Sequence, residues 1–248
     1  MKQTRILMDM PVIVEIHDED SAGEKIIEEV YDYFKYIDET FSVFKKNSEI
    51  SKINRGETGQ SDYSEDMKTI FRLAEDTKKQ TNGYFDIIKP DGSCDPSGIV
   101  KGWAIWQAAQ ILIKKNIKNF YVEAGGDIQI GKETDEKEPW RIGIRNPFNV
   151  NENVKILKLW NEGVATSGNY IRGQHIYDPH EPKKIFDDIV SITVIGPNVY
   201  EADRFATAAY AMGKDGINFI EQQSGLEGYA IDRNGIATMT SDFKNYEL

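Results

Sequence analysis

The chain has 248 residues, 40% hydrophobic and 29% charged, with a formal net charge of −11. That length and balance describe a globular protein with a sizeable core, and the acidic surplus argues against a nucleic-acid-binding surface. The lone cysteine, Cys94, excludes an intramolecular disulfide framework, and with no histidine beside it to lower the thiol pKa it is a weak candidate nucleophile.

The opening MKQTRILMDMPVIVEIHDED lacks an apolar core of the signal-peptide kind, and nowhere does the chain reach the ~20 apolar residues of a membrane span. The expectation is a cytoplasmic protein with no membrane insertion. VIVEI (12–16) reads as a strand. Residues 21–41 keep Ile26, Ile27, Val30, Phe34 and Ile37 at helical spacing. After a polar stretch (54–64), a second helix over 66–80 places Met67, Ile70, Phe71 and Ala74 on its inner face, and TNG marks a turn. A third helix, 99–115, carries Trp103, Ile105, Trp106 and Ile111. Beyond it FYVEA, DIQIG, WRIGIR, VKILKLW and IVSITVI are short strand-like runs separated by Gly, Asn and Pro. Helices over 199–212 and 215–223 follow, and GYAID and GIATMT close the chain as a strand pair around Asn234-Gly235. No repeat or long linker divides the sequence. The expected fold class is α+β, one compact unit over residues 1–248 with antiparallel-rich sheets and flanking helices.

Five stretches carry groups fit for chemistry. In EADRFATAAYAMG, Asn198 with Glu201 three residues on resembles a capping box, which puts Asp203 inside the helix and one turn from Thr207. Two oxygen donors at that spacing suit a hard cation such as Mg²⁺, and equally a buried structural polar pair. In DPSGIVKGWAIW, a Pro96-Ser97-Gly98 turn feeds a helix whose free N–H groups and dipole favour phosphate. Lys101 there is either a point charge toward an anion or an ordinary exposed lysine. The paired Gly125-Gly126 of EAGGDIQIG permit positive φ or a close ligand approach, or serve a tight strand connection; Asp127 after them could face either way. GVATSGNYIRGQHIYDP reads as a small-residue turn with a polar rim of Thr166, Ser167, Gly168, His175 and Asp178, without the G-x-S-x-G elbow of a serine hydrolase. Phe41, Phe44, Tyr84 and Phe85 are either core residues or a surface on which a planar ring stacks.

In order, MDMPVIVEI, SEISKIN, TNGYFDI, DPSGIVKG, AGGDI, ATSGNY, HIYDP and EADRFATAA resemble the ApbE-type flavin transferases, the FAD:protein FMN transferases, over nearly the whole chain. The resemblance implies an ApbE/T-fold-like architecture. It also implies Mg²⁺-dependent transfer of FMN from FAD to a Ser or Thr hydroxyl of an acceptor flavoprotein, with AMP released. Some members hydrolyse FAD to FMN and AMP instead, and a non-catalytic FAD-binding protein is a further alternative. On the family's pattern the metal ligands fall on Asp203, the Ala206 carbonyl, Thr207 and the backbone of Gly98. FAD contacts fall on Met8, Phe44, Tyr84, Phe85, Asp86, Asp95, Lys101 and Tyr177, and His175 is the favoured proton-handling residue beside catalytic Asp203. The chain departs from the pattern at Met8-Asp9-Met10, where the family has M-G-T, at Phe44 for a tyrosine, at Val100 for an alanine, and at Trp106 for an aspartate.

Overall fold

The computed structural model describes residues 1–18, 23–132, 138–168, 176–182 and 188–248. Strands β1 (Lys2–Leu7) and β2 (Met10–Ile16) form a hairpin in which Leu7 faces Met10 across two residues. Met8 and Asp9 both take positive φ, 53° and 57°, as a type I′ turn requires. β1 is absent from the sequence expectation because KQTRIL has two apolar residues and its side chains are only alternately half-buried.

Four α-helices, one of them short, follow before the chain returns to the sheet. α1 (Gly23–Phe41) buries Ile26, Ile27, Val30, Phe34 and Ile37, as their spacing predicts. α2 (Glu49–Asn54), unforeseen from sequence, is capped by the Ser48 hydroxyl, which accepts from the Ser51 N–H. α3 (Glu65–Gln80) is capped the same way by Ser64 and buries Met67, Ile70 and Ala74; Phe71, expected inside, is half-buried and stacks on Tyr63 with centroids 5.5 Å apart. α4 (Ser97–Lys114) then crosses the molecule, with Gly102, Ala104, Ala108 and Ala109 among its buried residues.

The rest of the chain is strand-rich: β3 (Phe120–Ala124), β4 (Asp127–Gly131), β5 (Trp140–Asn146), β6 (Asn149–Leu159), β7 (Gly163–Gly168) and β8 (Ile189–Gly196). α5 (Val199–Ala211) and the short α6 (Gly216–Glu221) precede β9 (Glu227–Asp232) and β10 (Ala237–Met239). Eight strands form one sheet in the order β1-β2-β3-β4-β7-β8-β9-β10, every neighbouring pair antiparallel. β5 and β6 form a separate two-stranded hairpin. The mixed helix and antiparallel-sheet architecture expected from the sequence is the one observed.

Strand alternation sorts the two faces of the sheet. On β4, Ile128 and Ile130 join Ile142, Ile144, Leu157 and Leu159 of the β5–β6 hairpin and Phe243 in one apolar cluster. The intervening Asp127 and Gln129 face the helices: Asp127 meets Lys101 of α4, and the Gln129 carboxamide accepts the Val199 N–H at the start of α5. On β7, Val164 belongs to the hairpin cluster and Ala165 to the cluster under α5.

GVATSG, expected as a turn, is therefore strand β7, paired between β4 and β8. Its small residues serve the close seating of α5. A Cβ on Gly163 would stand 1.9 Å from the Val199 nitrogen and 2.2 Å from the Asn198 carbonyl carbon, so helix backbone rests on strand backbone there. Asn198 caps α5 as its position predicts, its side chain accepting the Glu201 N–H at 2.9 Å. No helix among the described residues is long and apolar enough to cross a membrane.

Candidate active site

α4 and α5 cross at Gly102. A Cβ on that residue would lie 2.6 Å from the Cβ of Asp203 and 2.9 Å from the Val199 carbonyl, so only glycine permits this approach. Contact brings Asp203, 2% exposed, against the backbone of α4. The Gly102 N–H, which a regular helix reserves for the carbonyl four residues back, donates to Asp203 Oδ2 at 2.8 Å. Lys101 Nζ stands 3.4 Å from Asp203 Oδ1 and 2.5 Å from Oδ2 of Asp127, a residue 1% exposed. The Thr166 N–H donates to the other Asp127 oxygen at 3.0 Å.

Two buried carboxylates thus share this lysine, and the electrostatics follow. Burial pushes the Asp203 carboxyl up to about 7; Lys101 opposes the rise and Asp127 adds to it. One turn along α5, Thr207 points the same way, its hydroxyl 3.5 Å from that of Ser167 on β7.

Lys101, Ser167, Asp203 and Thr207 form the floor of a cavity of 340 Å³, which Asp127 and Gly102 do not line. Its walls include Phe44, Tyr84, Phe85, Asp86, Asp95 and Tyr177. Phe44 is 88% exposed, too open for a core residue and placed for stacking at the mouth. Tyr84 meets the His180 ring edge-on at 4.6 Å. Asp86 Oδ2 is 2.6 Å from Lys78 Nζ, and Asp86 Oδ1 accepts the Ile88 N–H. Burial raises the Asp95 carboxyl, but the Lys89 ammonium at 2.8 Å and the Ser97 hydroxyl and N–H outweigh it and hold the group below its ordinary value.

Ten residues proposed from the sequence therefore converge on one cavity: Phe44, Tyr84, Phe85, Asp86, Asp95, Gly98, Lys101, Tyr177, Asp203 and Thr207. Gly98 lies beside Thr207, where a Cβ would be 3.4 Å from Thr207 Cγ2. Met8 and Ala206 are not among the lining residues. Met8 sits in the β1–β2 turn against the helical core, and Ala206, on α5 itself, is fully buried in the cluster beneath that helix. His175 lies outside the described residues. Trp106, the departure on α4, lines a second cavity with Phe120 and Pro197, away from the first.

Other expectations change. Three N–H groups at the start of α4 are engaged: Ser97 donates to Asp95, and Ile99 and Val100 to the Pro96 carbonyl. The dipole and Lys101 remain to attract an anion there. Cys94 is buried, which pushes its thiol up to about 12 and removes it as a nucleophile. Arg204, one residue past Asp203, is buried away from the cavity and donates to Thr77, Gln80 and Glu201. Sequence reasoning did not single out Lys89 and left Asp127 undecided; the signal for Asp127 was its place directly after two glycines, at the first position of a strand.

The donor set favours a hard cation. Asp203, Thr207 and Ser167 offer oxygen only, and no cluster of three His, Cys, Asp or Glu exists among the described residues. One or two carboxylates with further oxygen donors would suit Mg²⁺, whose shell substrate phosphates commonly complete. Among the described residues two carboxylates, Asp127 and Asp203, face the Lys101 ammonium.

The model of the ApbE family matches residues 8–90 and 87–230, which include every described segment of the cavity. The chain is similar to the FAD:protein FMN transferase of Haemophilus influenzae, with 31% identity over 184 residues, 69% of this chain and 53% of that protein. It is also similar to the FAD:protein FMN transferase of Escherichia coli K12, with 28% identity over 175 residues, 66% of this chain and 50% of that one. The chain spans about half the length of these curated relatives. In fold it is similar to the ApbE protein from Thermotoga maritima, with a TM-score of 0.88 and 22% identity over 100% of this chain and 99% of the other. The flavin transferase ApbE from Vibrio cholerae gives a TM-score of 0.84 at 22% identity, over 99% and 98% of the two chains. On the extent of the family match, the chain belongs to the ApbE family.

Proposed function

We propose that the chain, working as one unit over its length, transfers the FMN half of FAD to a Ser or Thr hydroxyl of an acceptor flavoprotein and releases AMP. The observation that carries this reading is the joining, in one cavity, of an aromatic wall (Phe44, Tyr84, Phe85, Tyr177) to a floor of Lys101, Asp203 and Thr207. FAD calls for both, a flat apolar ring system and an anionic pyrophosphate. The relatives named FAD:protein FMN transferase support the same reading.

Lys101, at the N-terminal end of α4, adds a full charge to the helix dipole and draws the pyrophosphate to that end of the cavity. Asp203 and Thr207, with the carbonyls of Gly98 and Ala206, would hold Mg²⁺, which supplies charge neutralisation at the pyrophosphate when bound. Phe44 and Tyr84 orient the ring system from the mouth. As the acceptor oxygen bonds to the FMN phosphorus, the phosphorus–oxygen bond to AMP breaks and the bridging oxygen leaves with AMP. His175 is the proposed acceptor of the hydroxyl proton.

The test is to incubate the protein with FAD, Mg²⁺ and a peptide bearing the acceptor Ser or Thr, then weigh the peptide. A gain of one FMN is expected, with AMP formed in equal amount. AMP formed as fast without peptide would make water the acceptor and the protein a pyrophosphatase, and retention of FAD with no AMP would make it a binding protein.

A further inference from the structure

Lys101 is shared unequally. Its ammonium lies 2.5 Å from Asp127 Oδ2 but 3.4 Å from Asp203 Oδ1, beyond a normal hydrogen bond. Asp127 is itself rigidly held: it begins a strand paired on both sides, and its Oδ1 accepts the Thr166 N–H from the neighbouring strand. Asp203 Oδ2 accepts the Gly102 N–H from the backbone of α4, and the Asp203 carboxyl also lies within hydrogen-bonding reach of Asp127.

We propose that Asp127 is a positioning residue: it holds the Lys101 ammonium off Asp203, so that the Asp203 carboxylate stays open to a divalent cation. The inference rests on reading Asp203 as a cation ligand. Without the Asp127 charge, the ammonium would close on Asp203, the other carboxylate within its reach among the described residues, because a buried ion needs its partner. A cation would then have to displace the lysine before binding. With Asp127 in place, lysine and cation occupy opposite partners, and both positive charges face the same anionic substrate.

The measurement is Mn²⁺ binding by electron paramagnetic resonance, on the full chain without FAD, for the wild type, D127N, K101M and the double variant. Asparagine keeps an acceptor for the Thr166 N–H. D127N is expected to weaken Mn²⁺ binding about tenfold when Lys101 is present, and by no more than about twofold in the K101M background. Equal weakening in both backgrounds would show a plain loss of negative charge and overturn the proposal, as would no weakening in either. A wild type that binds no Mn²⁺ would overturn the cation reading itself and this inference with it, a result distinct from the others. If D127N does not fold, the wild type still decides. Its Lys101 Nζ proton resonance, assigned by its absence in K101M, should stay protected from exchange at saturating Mg²⁺. Loss of that protection would overturn the proposal.

Discussion

The two faces of the central sheet are built from different materials. Toward the β5–β6 hairpin lie Ile128, Ile130, Ile142, Ile144, Leu157, Leu159 and Phe243, an apolar cluster. Toward α4 and α5 the packing is just as close, but it is made with Gly102, Gly163 and alanines, and it encloses Asp127, Lys101 and Asp203. Buried charges stabilise little and often cost more than an apolar replacement. The hairpin face therefore contributes stability alone, while the helix face combines its own apolar clusters under α1, α4 and α5 with a charged arrangement suited to binding. If so, damage to the hairpin cluster should lower stability and spare chemistry, and loss of a charged group on the helix face should do the reverse.

The largest expected effect is on the helix face. Asp203→Ala should reduce Mg²⁺-dependent FAD turnover by about a thousandfold, the scale of losing a main electrostatic group of a transition state, while the thermal midpoint moves little because Lys101 keeps Asp127. Full activity in that variant would remove Asp203 from the site. On the hairpin face, Leu157→Ala deletes a fully buried side chain and should cost about 3 kcal/mol in denaturant unfolding. Its kcat/KM, measured below the melting range, should stay at the wild-type value. A large fall there would dissolve the contrast.

Gly102→Ala probes where the faces' logics meet. Alanine at an ordinary helix position would gain about 1 kcal/mol over glycine. Here the new methyl meets Asp203 Cβ at 2.6 Å, and overpacking at about 1–3 kcal/mol outweighs the gain. A net loss of about 1 kcal/mol with turnover reduced about tenfold is expected; a stabilised, active variant would mean the helices separate freely. The smallest effect concerns Cys94, which is buried on the helix side but belongs to no charged group. With the folded thiol at about 12, above its ordinary value of 9.0, its stabilising contribution is complete below pH 9 and is lost as pH rises toward 12. Native protein at pH 8 should react with a thiol reagent far more slowly than unfolded protein.

Much of this was legible in the chain because local rules governed it. Helices α1 and α3 followed from apolar spacing, and the α5 cap from Asn198 and Glu201. What was missed had no local signature. β1 is an edge strand with little to bury, and α2 is a six-residue turn set by its Ser48 cap. β7 looked like a loop because Gly, Ala, Thr and Ser were selected by the helix lying on it rather than by strand propensity. The site was legible as residue types, but its key pairing was not. Lys101 and Asp203 are separated by most of a sheet in sequence, and the Gly102 contact that brings them together is a product of topology.

Gly163 has a consequence for anyone scanning this chain by mutation. Any side chain there would strike helix backbone at 1.9 Å, and backbone has no rotamer to move aside. Every substitution at that position should abolish folding, and in a screen for activity it would score as deleterious as Asp203→Ala. The two could be told apart only by asking whether soluble protein remains. Intolerance would then point, at Gly163, to the architecture that lets α5 reach the cavity, and at Asp203 to the chemistry performed there.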